Sequence, residues 1–116
     1  MILEIRTYRL RPGTRDEFVR VMRDEGLPLL AKHGIDVVGC GPSLVDEDGN
    51  EEAYLIRAFP SLAAREAQEE AFYGGAEWRD GPRDAIVSRI ETYHTVVLEA
   101  GEDSGVFAVS RRPTGQ

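Results

Sequence analysis

Apolar and polar side chains alternate through the opening of the chain. Leu3, Ile5 and Thr7 fall on one face of an extended segment, and Glu4, Arg6 and Tyr8 on the other. This period of two predicts a strand over residues 3–10 with one face suited to a core and the other to a ligand or to water. Arg11-Pro12-Gly13 then reads as a turn, and Thr14 with Glu17 three residues on reads as a capping box. Phe18, Val21 and Met22 recur at helical spacing, so a helix follows. Gly26-Leu27-Pro28 interrupts that pattern, and Pro28 suits the first turn of a new helical segment that kinks away and ends at Gly34, leaving His33 near its C-terminus. A β-branched run over residues 35–40, a polar turn at 46–50 and a strand at 52–59 predict a hairpin. Its second strand sets Tyr54, Ile56 and Ala58 against Leu55, Arg57 and Phe59. Pro60 stops it, and Ser61 is placed to cap a helix through Ala71. Gly74-Gly75 breaks that helix before a further helical stretch carrying Trp78, and Gly81-Pro82 breaks it again. The last strand, residues 90–98, offers Tyr93 and Val97 on one face and Ile90, Val96 and Leu98 on the other.

The order β-α-β-β-α-β predicts a ferredoxin-like α+β sandwich, with both helices on one face of a four-stranded antiparallel sheet. Two helices cover one face only, yet the third and fourth strands are apolar on both sides. A second copy of the chain is therefore expected over the open face, giving a homodimer. The chain has 116 residues, so one domain over residues 1–100 is expected, followed by a polar, glycine-bearing tail at 101–116 that is either flexible or docked. A net charge of −7 argues against a nucleic-acid partner, which would ask for a basic stripe. Cys40 is the only cysteine, which excludes an intrachain disulfide and a thiolate cluster. No apolar run reaches the roughly 20 residues that span a bilayer, and no signal-like segment precedes the first strand, so no membrane partner and a cytoplasmic location are expected.

Several segments in order carry a resemblance: Glu4-Ile5-Arg6-Thr7-Tyr8 with Leu10-Arg11-Pro12-Gly13, Glu25-Gly26-Leu27-Pro28-Leu29, Lys32-His33-Gly34, Phe59-Pro60-Ser61-Leu62-Ala63-Ala64-Arg65, and Glu77-Trp78. Together they cover about residues 2 to 99 and resemble the NIPSNAP family of the dimeric α/β-barrel superfamily. The resemblance implies two four-stranded sheets packed face to face, with a cavity either between sheet and helices or inside the barrel. Relatives by fold include cofactor-free monooxygenases, isomerases, cyclases and haem enzymes, so the fold alone names no chemistry. Where family members often carry His and Trp before the Ser-Leu-Ala segment, this chain has Leu55 and Arg57, and Gly81-Pro82 interrupts what is usually one helix.

The candidate chemistry lies mostly on the first strand. Glu4, Arg6 and Tyr8 offer an acid, a fixed cation and a phenol, a set that could orient a carboxylate, phenolate or enolate. Its plainer reading is an ion pair between Glu4 and Arg6. Arg57 on the same side would favour an anionic ligand, or would pair with a carboxylate such as Glu91. His94, polar in an apolar strand, is a candidate general base, and otherwise a structural histidine. Arg6, Tyr8 and His94 are thus the candidate catalytic residues, and Glu4, Arg57, Tyr54, Trp78 and Tyr93 the candidate ligand contacts. His33 is accounted for by the helix dipole. No metal-ligand spacing, catalytic triad or phosphate loop is present, so no metal and no cofactor are expected. The reading is a cofactor-independent enzyme that isomerises, cyclises or oxygenates an apolar, oxygenated small molecule in the barrel cavity. The alternative is a non-catalytic module that binds such a molecule or a protein.

Overall fold

Strand β1 (Ile2–Leu10) lies between β3 (Glu52–Phe59) and β4 (Ile90–Glu99), and β2 (Asp36–Pro42) flanks β3, so the order across the sheet is β2-β3-β1-β4 with antiparallel neighbours. The computed structural model describes residues 1–101. The expected tail, residues 101–116, lies outside the described residues save for Gly101. Between β1 and β2 run α1 (Arg15–Val21) and α2 (Leu27–Lys32). Between β3 and β4 run α3 (Leu62–Tyr73), α4 (Ala76–Arg79) and α5 (Arg83–Val87). This is the ferredoxin-like α+β arrangement that the element order predicts. Among the described residues no helix is long and apolar enough to cross a membrane.

The two faces of the sheet are assigned the other way round from the simplest reading of β1. Ile2, Glu4, Tyr8 and Leu10 are buried beneath the helices, while Leu3, Ile5 and Thr7 lie on the open face. Alternation shows that the faces differ, but not which of them the helices cover. Here α3 meets the polar face of β1 with a matching polar stripe, Arg65, Glu69 and Tyr73 at four-residue spacing. On β3, Ala53, Leu55, Arg57 and Phe59 are buried, and Tyr54, Ile56 and Ala58 face outward. A bulge at Glu91, opposite Arg9 and Leu10, pairs Leu10 with Ile90 and so turns Ile90 to the helix side, away from Val96 and Leu98.

The helices begin and bend for local reasons. Ser61 caps α3, its Oγ accepting from the Ala64 N–H at 3.1 Å. The box expected at Thr14 does not form: Thr14 Oγ1 donates to Arg11 O at 2.7 Å, and Glu17 pairs with Arg20. Instead the Glu51 carboxylate, from beyond the hairpin turn, accepts from the N–H groups of Gly13 and Arg15 at 2.8 and 3.1 Å. Nor does the chain break at Gly26-Leu27-Pro28. It runs through one π-helical turn, Met22–Gly26, closed by the Leu27 N–H on Met22 O, because Pro28 has no N–H with which to continue the ordinary ladder.

Candidate functional site

Charge is concentrated where β1, β3 and α3 meet. Glu4 and Arg57 are fully buried, and Arg57 Nε donates to Glu4 Oε1 at 2.9 Å while its Nη2 bonds the same oxygen. Arg65 Nε donates to Glu4 Oε2 at 2.8 Å and lies 3.2 Å from Glu69 Oε2, so both carboxyl groups converge on one nitrogen. Arg57 Nη2 lies 3.4 Å from Glu69 Oε2, and Arg6 Nη2 lies 3.7 Å from Glu4 and 3.8 Å from Glu69. Two carboxyl groups this close cannot both ionise freely. Burial, then the hydrogen bond it makes to Glu4, pushes Glu69 up to about 7 despite the pull of Arg57 and Arg65. Burial works against ionised Glu4 as well, but the hydrogen bond from Glu69 and the guanidinium of Arg57 outweigh it and hold Glu4 well below the usual carboxylate range. Glu4 is therefore the fixed anion, and Glu69 the group that exchanges a proton near neutrality.

Beside this cluster lies a cavity of about 340 Å³ between sheet and helices, within the range typical of small-molecule sites. Arg6, Tyr8, Tyr73 and Glu69 make one end polar, and Met22, Leu30, Leu55, Phe72, Trp78 and Ile86 are among its apolar walls. Tyr93 and Val87, both substantially exposed, stand at its rim, with the Arg6 guanidinium 5.2 Å from the centre of the Tyr93 ring. The π turn contributes Met22 and Gly26 to the wall. A side chain at Gly26 would meet Met22 Sδ at 2.8 Å but Ile86 of α5 only at 3.5 Å, so glycine here leaves room for the Met22 thioether. Phe72, Tyr73 and Trp78 pack on one another with centroids 4.9 to 5.4 Å apart, which fixes the direction of the Tyr73 phenol. Tyr73 Oη accepts from Arg57 Nη1 at 2.8 Å and Arg6 Nη1 at 3.4 Å.

Of the residues singled out in the sequence, Arg6, Tyr8, Trp78 and Tyr93 line this cavity. Glu4 and Arg57 lie behind it as one ion pair, so Arg57 takes Glu4 as its carboxylate, and Glu91 is exposed at the bulge. Tyr54 and His94 are not part of the site. His94 pairs with Thr7 on the open face, and Tyr54 lies on that face too, along a groove of about 590 Å³ with Thr7, Arg23 and Leu44. With the sheet backbone between them, His94 cannot reach the cavity to act as its base. Glu69 and Arg65 were missed; the four-residue spacing of Arg65, Glu69 and Tyr73 becomes a signal once the facing strand, with Glu4 and Arg6, is known. The described residues hold no group of three or more His, Cys, Asp or Glu side chains arranged for a metal.

The profile of the NIPSNAP family matches residues 3–102. The chain belongs to the NIPSNAP family. Similar solved structures include a NIPSNAP domain protein from Burkholderia xenovorans, 27% identical with a TM-score of 0.74, the match covering 87% of this chain and 95% of that one. A NIPSNAP family protein of unknown function from Agrobacterium tumefaciens is also 27% identical, with a TM-score of 0.77 over 88% of this chain and 89% of that one. An antibiotic biosynthesis monooxygenase is 15% identical, with a TM-score of 0.55 over 88% of this chain and 100% of that one, which shows a shared fold alone. A comparison with curated proteins finds no match.

Proposed function

We propose that this NIPSNAP protein binds an apolar small molecule bearing an oxygen function in the cavity between sheet and helices, and performs cofactor-independent acid–base chemistry on it. The observation that carries the reading is the polarity of the cavity: apolar and aromatic walls closed at one end by Arg6, Tyr8, Tyr73 and Glu69. A carboxyl with a pKa of about 7 beside such a cavity is poised both to give and to take a proton, as isomerisation or cyclisation requires. Glu69 takes the base role that the sequence suggested for His94. The open sheet face, with Ile5, Ile56, Val96 and Leu98 on it, supports pairing of two copies through that face. A single half-buried cysteine fits a reducing compartment such as the cytoplasm.

Trp78 is the chain's only tryptophan and lines the cavity, so its fluorescence reports occupancy directly. Titration with a panel of aromatic and alicyclic ketones, phenols and acids is expected to give saturable quenching that Val87→Phe at the rim weakens. Glu69→Gln is expected to retain binding while losing proton exchange with the ligand. A folded protein whose Trp78 signal responds to no member of the panel would refute the reading. Binding without any proton exchange in the wild type would favour the non-catalytic alternative.

A further inference from the structure

Two phenol groups at the polar end of the cavity have protons to give and, among the described residues, nowhere to give them. Tyr8 is 5% exposed and lines the cavity, yet its hydroxyl makes no hydrogen bond to a described residue. Tyr73 Oη already accepts from two guanidinium groups, which occupy its lone pairs and leave its own O–H to donate outward. Both phenols line the cavity beside Arg6. The fork of Arg6 is spoken for: Nε donates to Thr95 Oγ1 at 3.2 Å, Nη1 to Tyr73, and Nη2 faces Glu4 and Glu69. It contributes positive charge more than a bidentate grip. Three guanidinium groups, those of Arg6, Arg57 and Arg65, face the two carboxyl groups of Glu4 and Glu69, an excess of one positive charge even with both acids ionised.

We propose, building on the function above, that this end of the cavity is an oxyanion site for a ligand with a single charged oxygen on a flat apolar frame, a phenolate or an enolate, held by the hydroxyls of Tyr8 and Tyr73 under the field of Arg6. A carboxylate would ask for a free guanidinium fork, which Arg6 does not present. Single-point O–H donors aimed at one oxygen suit an enolate or phenolate, whose charge resides largely there. Burial raises the Tyr8 phenol well above its ordinary range, so it stays a donor at any working pH. When the neutral acid of such a ligand binds as its anion, its O–H or C–H bond breaks, the electron pair stays on the ligand and the proton leaves for solvent or a base. The two tyrosines keep their own protons.

Three probes of one shape separate the possibilities: 4-nitrophenol, 4-nitrotoluene and 4-nitrobenzoate, titrated at mildly acid pH, where free 4-nitrophenol is mostly neutral. The expected result is that 4-nitrophenol binds about tenfold or more tighter than 4-nitrotoluene, as hydrogen bonds to a charged group allow, and shows phenolate absorbance when bound. Tyr8→Phe should leave the melting temperature unchanged, since that hydroxyl bonds no described residue, yet reduce both the preference and the absorbance. Equal affinity of phenol and toluene, tighter binding of 4-nitrobenzoate, or an unchanged preference in Tyr8→Phe would each overturn the oxyanion site while leaving the cavity as a binding site. If none of the three probes binds, the reading of the cavity falls, and this proposal with it.

Discussion

Between about pH 4.5 and about pH 7, Glu69 carries a proton in the folded protein that it would have lost in the unfolded chain. A carboxyl whose pKa rises on folding contributes stability that is complete below its unfolded value and is lost as pH climbs through its folded value. Glu4, shifted the other way, contributes above its unfolded value and loses that contribution as pH falls toward its lowered folded pKa. The melting temperature should therefore decline from mildly acid toward neutral pH, and Glu69→Gln should flatten that decline, as calorimetry across the range will show. A decline of the same slope in Glu69→Gln would contradict the assignment. The pair Glu4 and Arg57 behaves differently, because neither side chain reaches water. Removing one partner, as in Arg57→Met, leaves the buried Glu4 charge to Arg65 and Arg6 alone and should cost less than the roughly 3–5 kcal/mol of a fully orphaned buried charge, as urea denaturation will read. Replacing both, Glu4→Leu with Arg57→Met, should recover much of that loss. The polarity of Glu4, Arg6 and Tyr8 was plain in the sequence, but their partner Glu69 was not, since an acid in a charged helix reads as solvated until the facing strand is known.

At the scale of elements, the turn at Met22–Gly26 is where shape and function meet. Gly26→Ala would add a helix-favouring residue worth about 1 kcal/mol, but its Cβ would press on Met22 Sδ, and Met22 lines the cavity. The thioether is flexible and can shift, so stability should stay within about 1 kcal/mol of wild type while the cavity shrinks and ligand affinity falls. Thermal melts and Trp78 titrations on one preparation will check both halves, and unchanged affinity would show that Met22 moves elsewhere. Element order, the hairpin, the Ser61 cap and the breaks at Gly74-Gly75 and Gly81-Pro82 were legible because each has a local cause. The π turn was not, and three further features escaped because they depend on partners distant in sequence. Glu51 caps α1 from across the hairpin, the bulge at Glu91 sets the face of Ile90, and the choice of which sheet face the helices cover is made by α3. Tyr54 and His94 were grouped with Arg57 and Tyr93 for want of that last choice.

At the scale of the whole molecule, the two surfaces of one sheet differ in kind. The helix side encloses the charged cluster and the cavity, and the open side carries Leu3, Ile5, Ile56, Val96 and Leu98. Sedimentation at micromolar concentration is expected to show a dimer, and Ile5→Asp on the open face should give a monomer that keeps its fold. A wild-type protein that sediments only as a 12.9 kDa monomer would refute pairing through this face. The described walls of the cavity lie on the helix side, away from the open face, so pairing through that face would leave each subunit its own workshop. Mixing wild-type subunits with Glu69→Gln subunits should then yield hybrids with half the output of the parent, the sound half working on as though its crippled twin were whole.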